Sequence, residues 1–381
     1  MEGPRRIAIV HEWFTSMRGG EKCVEALCEM YPGAVLFALL HVPGAVSPVI
    51  EAMPIRTSFI QHLPFARTRY RHYLPLFPRA VERLDLRGFD LVLSSSHCVA
   101  KGARARGGAL HICYCHTPMR YIWHHYREYF GPGRAALITR LGMAMAAGPL
   151  RKWDLRTASN PARYIANSEN VRSRIRALYG RDAVVVHPPV DTDLFSAPPQ
   201  AGEFFLVVSA LVPYKRVDRA VRACAILGER LVVVGEGPEL ARLRSIAPGT
   251  ARFAGRVGDA ELARLYARSH ALLFPGEEDF GIAPLEAMAA GKPVVALARG
   301  GATETVVDSP EGGTGILYRG EEAEDLALAI RGLGRRRFDP GALRAHARRF
   351  DRSVFKRRMR EEITRIWAEE RGASPQMQAG E

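Results

Sequence analysis

The stretch RIAIVHEWFTSMRGGE, residues 6–21, decides the fold of the N-terminal half of the chain. Its first part, Arg6–Val10, is a short apolar run rich in β-branched residues, which predicts a buried strand. We expect that strand to stop at His11 and a turn to follow at Gly19 and Gly20. Apolar residues then recur at helical spacing. A strand, a glycine turn and a helix in this order open a doubly wound α/β sheet.

The same alternation of short apolar runs and helical segments continues on both sides of a proline-rich break, which comprises Pro188-Pro189 and the segment APPQAG at 197–202. Before the break, apolar runs predict strands at 90–94, 110–114, 164–166 and 183–187. After it, they predict strands at 204–209, 230–234, 251–253, 271–274 and 293–296. Helices are expected near 217–227, 237–246, 259–268, 283–290, 302–307 and 322–333.

These elements predict an α/β protein with two Rossmann-like α/β/α domains that face each other across a cleft, where ligands usually bind. The N-terminal domain is expected to span 1–194 and the C-terminal domain 203–349. A long amphipathic helix over 350–371 is predicted to return to the N-terminal domain. Residues 372–381 are expected to form a flexible tail.

The composition is that of an ordinary globular protein, with 47% hydrophobic and 25% charged residues among 381. The six cysteines form no pair of CxxC motifs, so a reducing cytoplasm is expected. In the run Cys113-Tyr-Cys115-His116, buried thiols beside one functional histidine are favoured over a metal site. The longest weakly polar run, residues 141–150, is half the length of a membrane span, and the N-terminus lacks the apolar core of a signal peptide.

The basic charge lies mainly in the N-terminal half, because residues 1–195 carry a net charge of +11 out of +14. Such a half could attract nucleic acid, an anionic membrane or an anionic substrate. No recognition helix or aromatic RNA platform accompanies the charge, so no specific nucleic-acid partner is expected. Residues 56–83 interleave basic and aromatic side chains: Arg56, Phe59, Phe65, Arg67, Arg69, Tyr70, Arg71, Tyr73, Phe77, Arg79 and Arg83. This segment predicts peripheral contact with the inner face of the cytoplasmic membrane, unless its aromatics pack on the domain's own sheet.

Two glutamates stand eight residues apart in EDFGIAPLE, with Glu278 in the loop after a predicted strand and Glu286 in the following helix. The backbone amides of Phe280, Gly281 and Ile282 are expected to point at an anion near the start of that helix. The two carboxylates could accept hydrogen bonds from two sets of hydroxyl groups. A nucleotide sugar combines such hydroxyls with a diphosphate.

Further residues fit an anionic ligand. Lys215 and Arg216 follow the first strand of the second half, where cations can neutralise a departing diphosphate. Gly19 and Gly20 lie at the equivalent turn of the first half, where backbone amides can approach a phosphate. His116 follows the predicted strand LHICY near the cleft, where its neutral ring or its carbonyl could hold a sugar hydroxyl.

The chain resembles the family 4 glycosyltransferases of the GT-B fold over about residues 5–370, and the bacterial mannosyltransferases of O-antigen and exopolysaccharide synthesis in particular. The stretches that carry the resemblance are HEWFTSMRGGEK (11–22), LVLSSSHCVAKG (91–102), CHTPMRYIW (115–123), ANSENVRSRI (166–175), HPPVD (187–191), LVPYKRVDRAV (211–221), VVGEGPE (233–239) and FPGEEDFGIAPLEAMAAGKPVVA (274–296). The resemblance implies sugar transfer from a nucleotide donor with retention of anomeric configuration and without a metal or other cofactor.

The resemblance also implies roles for individual residues. Glu278 would contact the donor sugar, Glu286 the ribose and Lys215 the diphosphate, so that Glu278, Lys215 and His116 form the predicted catalytic set. The loop containing Arg256 and Val257 would lie near the nucleobase. Asp259 is expected to cap the next helix, and it could also read guanine. Where the family usually has a phosphate-binding arginine, this chain has Ala210, and Arg216 or an arginine of the first domain is expected to replace it.

The predicted function is therefore retaining transfer of a hexose, with mannose from GDP-mannose favoured, to a lipid-linked, oligosaccharide or polysaccharide acceptor in cell-surface glycan synthesis such as lipopolysaccharide. A UDP-hexose donor is the alternative. An inactive partner protein that keeps the GT-B fold is a further alternative, motivated by Ala210.

Overall fold

The computed structural model describes residues 3–123, 126, 131, 137–247 and 249–372. The chain divides into two compact units. The first takes in the chain up to His187 and again from Phe355 onward, and the second is Pro188–Val354. Apart from residue 372, the predicted tail at 372–381 lies outside the described residues.

The first unit is built on a seven-stranded parallel sheet with the strand order β3-β2-β1-β4-β5-β6-β7. Its strands are β1 (Ile7–Phe14), β2 (Val35–His41), β3 (Ile55–Thr57), β4 (Leu91–Ser96), β5 (Leu110–Cys115), β6 (Arg163–Ala166) and β7 (Ala183–Val185). Strand β1 does not stop at His11, because the polar side chains of His11 and Glu12 are buried and find partners inside the unit. Strands β2 and β3 were not predicted from the sequence.

Helices cover both faces of this sheet. They are α1 (Gly19–Met30), α2 (Pro48–Glu51), α3 (Ala66–Arg69), α4 (Phe77–Glu82), α5 (Leu137–Arg156), α6 (Glu169–Tyr179) and, from the end of the chain, α14 (Arg352–Gly372). Short 3₁₀ turns lie at Phe59–His62, Tyr70–Leu76, Ala100–Gly102 and Thr157–Ser159. One face packs against α1 and against α14 through Phe355, Met359, Ile363 and Ile366. The other face packs against the segment from Ile60 to Leu86 and against α5.

The second unit contains a six-stranded parallel sheet with the strand order β10-β9-β8-β11-β12-β13. Its strands are β8 (Phe204–Val208), β9 (Leu231–Val234), β10 (Ala251–Gly255), β11 (Ser269–Phe274), β12 (Val294–Leu297) and β13 (Gly315–Tyr318). Its helices are α7 (Val217–Leu227), α8 (Leu240–Ile246), α9 (Asp259–Arg268), α10 (Ala283–Ala289), α11 (Ala302–Thr305), α12 (Ala323–Leu333) and α13 (Pro340–Arg348), with 3₁₀ turns at Thr192–Phe195 and Pro213–Lys215.

Both units are therefore Rossmann-like α/β folds, as predicted. In an open parallel sheet, ligands bind at the edge where the strands end. In the first unit, that edge carries His97, just after β4, and His116, directly after β5. In the second unit, Lys215 follows β8 and Glu278 follows β11. Among the described helices, none combines the length and apolar character needed to cross a bilayer.

Candidate active site

In the second unit, the structure places the two predicted catalytic residues Lys215 and Glu278 side by side. The ammonium group of Lys215 forms an ion pair with Glu278 Oε1, and both side chains are largely buried. Lys215 ends a 3₁₀ turn that begins at Pro213. The loops after β8 and β11 thus bring a cation and a carboxylate together, and either group can also meet a charged or hydroxylated ligand.

The loop that carries Glu278 is held by the turn after β12. Gly301 donates its backbone N–H to the carbonyl oxygen of Glu278 at 2.9 Å. A Cβ atom at Gly301 would lie 2.2 Å from Phe280 Cα, so only glycine permits this close approach. Gly281 has φ of +88° and lies against the ring of Phe274. The loop between Glu278 and α10 is therefore tightly packed.

Glu286 lies within α10 and is buried, with its Oε2 atom accepting a hydrogen bond from the Tyr266 hydroxyl at 2.9 Å. Burial raises the pKa of Tyr266 well above its usual value, and the charge of Glu286 raises it further, so the hydroxyl stays a donor. A carboxylate can accept several hydrogen bonds, so Glu286 can accept one from a ligand hydroxyl in addition to that from Tyr266. Tyr266 was not predicted as a site residue, since nothing in the local sequence relates it to Glu286.

The remaining predicted donor-binding residues divide into buried and exposed groups. The side chain of Phe280 belongs to the core, so only its backbone is available to a ligand, and Ile282 directly precedes α10. Val257 is half-buried against the same core, whereas Arg256 is exposed. Each predicted contact of these residues with a donor stays a prediction.

Ala210 and Arg216, the predicted replacement for the missing arginine, both lie between β8 and α7. Ala210 is exposed, so this position has room for a longer side chain. Arg216 adopts a left-handed conformation with φ of +49°. Its guanidinium faces the Asp218 carboxylate at 3.4 Å.

The expectation that Asp259 caps α9 is wrong: the cap is Gly258, and Asp259 is the first helical residue.

In the first unit, His116 and Gly20 come together with His11. His116 is buried, and its Nε2 atom lies 2.8 Å from the Ser95 hydroxyl. Burial, assisted by the charges of His97 and His11, lowers the pKa of His116 to about 3, so the ring is neutral near pH 7. Gly19 and Gly20 are the first residues of α1 rather than a separate turn. A Cβ atom at Gly20 would contact both histidines, 3.4 Å from His11 Cε1 and 3.8 Å from His116 Nε2.

Beside this group lies a buried carboxylate that the sequence analysis did not identify. Oε1 of Glu12 accepts hydrogen bonds from the Ser96 hydroxyl and from three backbone N–H groups of residues 97–100, at 2.8–3.2 Å. Its other oxygen lies 3.0 Å from His97 Nδ1. Burial alone would raise the pKa of Glu12, but the charge and hydrogen bond of His97 outweigh it and the pKa is lowered. Glu12 therefore anchors both the turn after β4 and the ring of His97.

His11, Glu12 and His97 offer ligand atoms within 4.8 Å of one another, a spacing that could suit a metal ion. Their hydrogen bonds favour another interpretation. His11 Nδ1 donates to the carbonyl oxygen of Ser95 at 3.0 Å, which leaves Nε2 as its ligand atom for a metal, and Nε2 lies 3.6 Å from Glu21 Oε1. Burial lowers the pKa of His11, but a hydrogen bond with Glu21 and the charges of Glu12 and Glu21 raise it overall. The absence of a metal from the site stays a prediction.

Two sequence profiles match successive parts of the chain. The profile of Glycosyltransferase Family 4 matches residues 18–194, and that of Glycosyl transferases group 1 matches residues 194–349. The chain is 34% identical over 215 residues to a GDP-mannose-dependent alpha-(1-6)-phosphatidylinositol monomannoside mannosyltransferase of Mycolicibacterium smegmatis, covering 48% of this chain and 56% of that protein. It is 34% identical over 207 residues to D-inositol 3-phosphate glycosyltransferase 2 of Catenulispora acidiphila, covering 45% and 47%. The chain thus spans about half the length of these relatives.

Solved structures share the fold over nearly the whole chain. HepE of Anabaena in complex with UDP-glucose has a TM-score of 0.68 at 17% identity, covering 94% of this chain and 99% of that one. Sucrose-phosphate synthase of Thermosynechococcus elongatus has a TM-score of 0.68 at 19% identity, covering 96% and 99%. Together with the two profiles and the two parallel-sheet units, these similarities show that the chain belongs to the family 4 glycosyltransferases of the GT-B fold.

Proposed function

We propose that this protein is a retaining glycosyltransferase that transfers mannose from GDP-mannose to a lipid-linked or polysaccharide acceptor in cell-surface glycan synthesis, without a metal ion. The observation that carries the proposal is the ion pair between Lys215 and Glu278 in the loops after β8 and β11, with Glu286 in the helix α10 that follows the second loop. An ammonium group suits a diphosphate, and the two carboxylates suit hydroxyl groups on the sugar and on the ribose.

The proposed chemistry needs no enzyme base. The bond between the anomeric carbon and the diphosphate oxygen breaks, and the acceptor oxygen bonds to that carbon on the same face. The leaving phosphate oxygen takes the acceptor proton. Lys215 stabilises the developing charge on the diphosphate. The low pKa of His116 supports a neutral ring that holds a hydroxyl group rather than a proton carrier.

The mannosyl donor draws support from the M. smegmatis relative, whose name specifies GDP-mannose. A UDP-hexose is the second candidate, because HepE has been solved with UDP-glucose in a similar fold. A thermal-shift screen with GDP, UDP, GDP-mannose and UDP-glucose distinguishes them, since a ligand that binds the native state raises its stability with affinity. We expect GDP and GDP-mannose to raise the melting temperature more than the uridine compounds. Equal shifts, or none, would contradict the proposed donor.

The alternative of an inactive protein that keeps the fold rests on Ala210, and it has its own test. Mass spectrometry of GDP-mannose incubated with the protein should reveal slow hydrolysis to GDP and mannose. Complete stability of the donor, together with nucleotide binding, would favour an inactive partner. Nucleic acid is not a proposed partner, and we expect only weak binding that moderate salt abolishes.

A further inference from the structure

Helix α5 of the first unit is apolar on two opposite faces, yet the described protein covers only one of them. Met143, Leu150 and Trp153 are buried in the core beneath the helix. On the other side, Leu141 and Met145 are 58% and 80% exposed. Residues 141–150, LGMAMAAGPL, contain no charged side chain. A helix that is apolar all round normally lies within a core, so the outer face of α5 is suited to contact with a further apolar environment.

Exposed basic residues lie on the same side of the first sheet as this face. Lys152, two residues after the apolar run, lies on the same side of α5 as Leu141 and Met145 and is exposed. On the same side of the sheet, the segment from Ala66 to Glu82 presents Arg67 and Arg69 to solvent. Glu82, the acidic residue of that segment, is already engaged by Arg104 at 2.7 Å and by Arg156 of α5 at 3.2 Å. This side of the first unit therefore presents the exposed cations Arg67, Arg69 and Lys152.

The aromatic residues that were expected to enter the bilayer are mostly used elsewhere. Tyr70 and Phe77 are buried, with ring centroids 4.9 and 6.0 Å from that of Trp13. Tyr73 donates its hydroxyl to the Pro64 carbonyl oxygen. Phe65 is 74% exposed. The segment at 56–83 thus keeps its exposed arginines but loses most of its predicted apolar contact, which α5 can supply instead.

We propose that the outer face of α5, together with Arg67 and Arg69 on the same side of the sheet, docks the first unit on an anionic phospholipid bilayer. Leu141 and Met145 enter the interfacial region of the lipid, while Lys152, Arg67 and Arg69 meet the phosphate groups. An apolar stripe combined with a few cations gives reversible interfacial binding, and its strength depends on both parts. The inference goes beyond the proposed function and does not depend on the identity of the donor.

Cosedimentation of the full chain with vesicles tests the apolar part. We expect binding to vesicles of phosphatidylglycerol mixed with phosphatidylcholine at low salt. Changing both Leu141→Ser and Met145→Ser should weaken the partition constant about tenfold or more, because two apolar side chains no longer leave water. Leu328→Ser is the matched control, since Leu328 is 70% exposed in the second unit. If this control weakens binding as much as the α5 variant, the assignment to α5 is wrong.

A second variant tests the charged part. Changing Arg67, Arg69 and Lys152 to glutamine should lower the partition constant on the order of a hundredfold, since each cation near the surface contributes about 1 kcal/mol. The control variant changes three exposed arginines of the second unit, Arg331, Arg335 and Arg348, to glutamine and has the same net charge. Equal loss in both variants would indicate attraction by net charge alone and would overturn the proposed surface.

The third test compares vesicles of different lipid composition. We expect little binding to vesicles of phosphatidylcholine alone and weaker binding to anionic vesicles as salt is raised. No binding to anionic vesicles, or equal binding to neutral ones, would overturn the proposal. Far-UV circular dichroism and the GDP-induced thermal shift check that the variants fold. Because that shift is measured without vesicles, failure of the membrane proposal and failure of the donor proposal are separate results.

Discussion

At the scale of single residues, the charged groups of the second unit give separable effects on binding and turnover. Lys215→Ala and Glu286→Ala should each weaken GDP binding by about 2–3 kcal/mol, because each removes one charge-assisted contact in a buried position. Glu278→Ala should leave GDP binding intact and reduce transfer, since its proposed partner is the sugar. Isothermal titration with GDP and a turnover assay measure the two quantities.

The control for these variants is Glu324→Ala, which removes an exposed carboxylate of α12 in the same unit. It should change neither quantity. Unchanged GDP affinity in both Lys215→Ala and Glu286→Ala would contradict the assignment of the site. A Glu278→Ala variant that loses GDP binding would contradict the separate roles of the two glutamates.

The buried histidines of the first unit predict how stability depends on pH. Burial lowers the pKa of both His111 and His116 to about 3. The unfolded chain takes up protons at these positions below a pKa of about 6.5, whereas the folded chain does not until about pH 3. Between these limits the unfolded state binds more protons, so the free energy of unfolding falls as the pH is lowered.

His111→Gln should make this dependence shallower by up to about 1.4 kcal/mol per pH unit, the contribution of one proton. Urea unfolding of the first unit at several pH values between roughly 4.5 and 7, where the folded and unfolded states bind different numbers of protons, measures how the free energy of unfolding changes with pH. His72→Gln serves as the control, because His72 is exposed. The same pH dependence of the free energy of unfolding in the His111 variant and the wild type would show that His111 titrates alike in the folded and the unfolded state.

At the scale of secondary-structure elements, the close contact between the turn after β12 and the loop after β11 can be tested at Gly301. The φ of Gly301 is −64°, which alanine adopts without strain, so only the added Cβ atom matters. That atom would lie 2.2 Å from Phe280 Cα, and the backbone must move. Gly301→Ala should destabilise the second unit by about 1–3 kcal/mol and weaken GDP binding, because residues 280–282 shift.

Gly334→Ala is the matched control. Gly334 also has φ of −64°, at the end of α12, and a new Cβ atom there would lie 3.9 Å from its nearest neighbour, the Arg331 carbonyl oxygen. Urea unfolding and titration with GDP should leave this variant close to the wild type. If Gly301→Ala binds GDP normally despite lower stability, the loop at 280–282 does not contact the nucleotide.

Elements built from local patterns could be predicted, whereas contacts between distant segments could not. Continuous apolar runs such as those of β9 and β11 identified buried parallel strands, and helices α7 and α9 were predicted with their observed bounds. The extension of β1 through Glu12 was missed, because this carboxylate is stabilised by the turn at residues 97–100, more than eighty residues away. The Tyr266–Glu286 hydrogen bond likewise depends on packing between α9 and α10.

At the scale of the whole molecule, the order of the chain differs from the order of packing. The last helix, α14, follows the second unit in sequence, but its apolar residues from Phe355 to Ile366 lie in the core of the first unit. The first unit therefore needs both ends of the described chain to complete its core. The second unit has its own cores, formed by residues between Val190 and Phe350. A mutation in the core of one unit should therefore lower the melting temperature of that unit.

Scanning calorimetry with and without GDP tests this division. Ile366→Ala should lower the melting transition of the first unit, because removing a fully buried isoleucine costs about 2–5 kcal/mol. GDP should raise the transition of the second unit, and Leu343→Ala, at a buried position of that unit, should lower it. The nucleotide should therefore raise the melting temperature of the transition that Leu343→Ala lowers. It should not change the melting temperature of the transition that Ile366→Ala lowers. If GDP instead raises the transition lowered by Ile366→Ala, the nucleotide binds the first unit, and the assignment of Lys215 and Glu286 to the donor site fails.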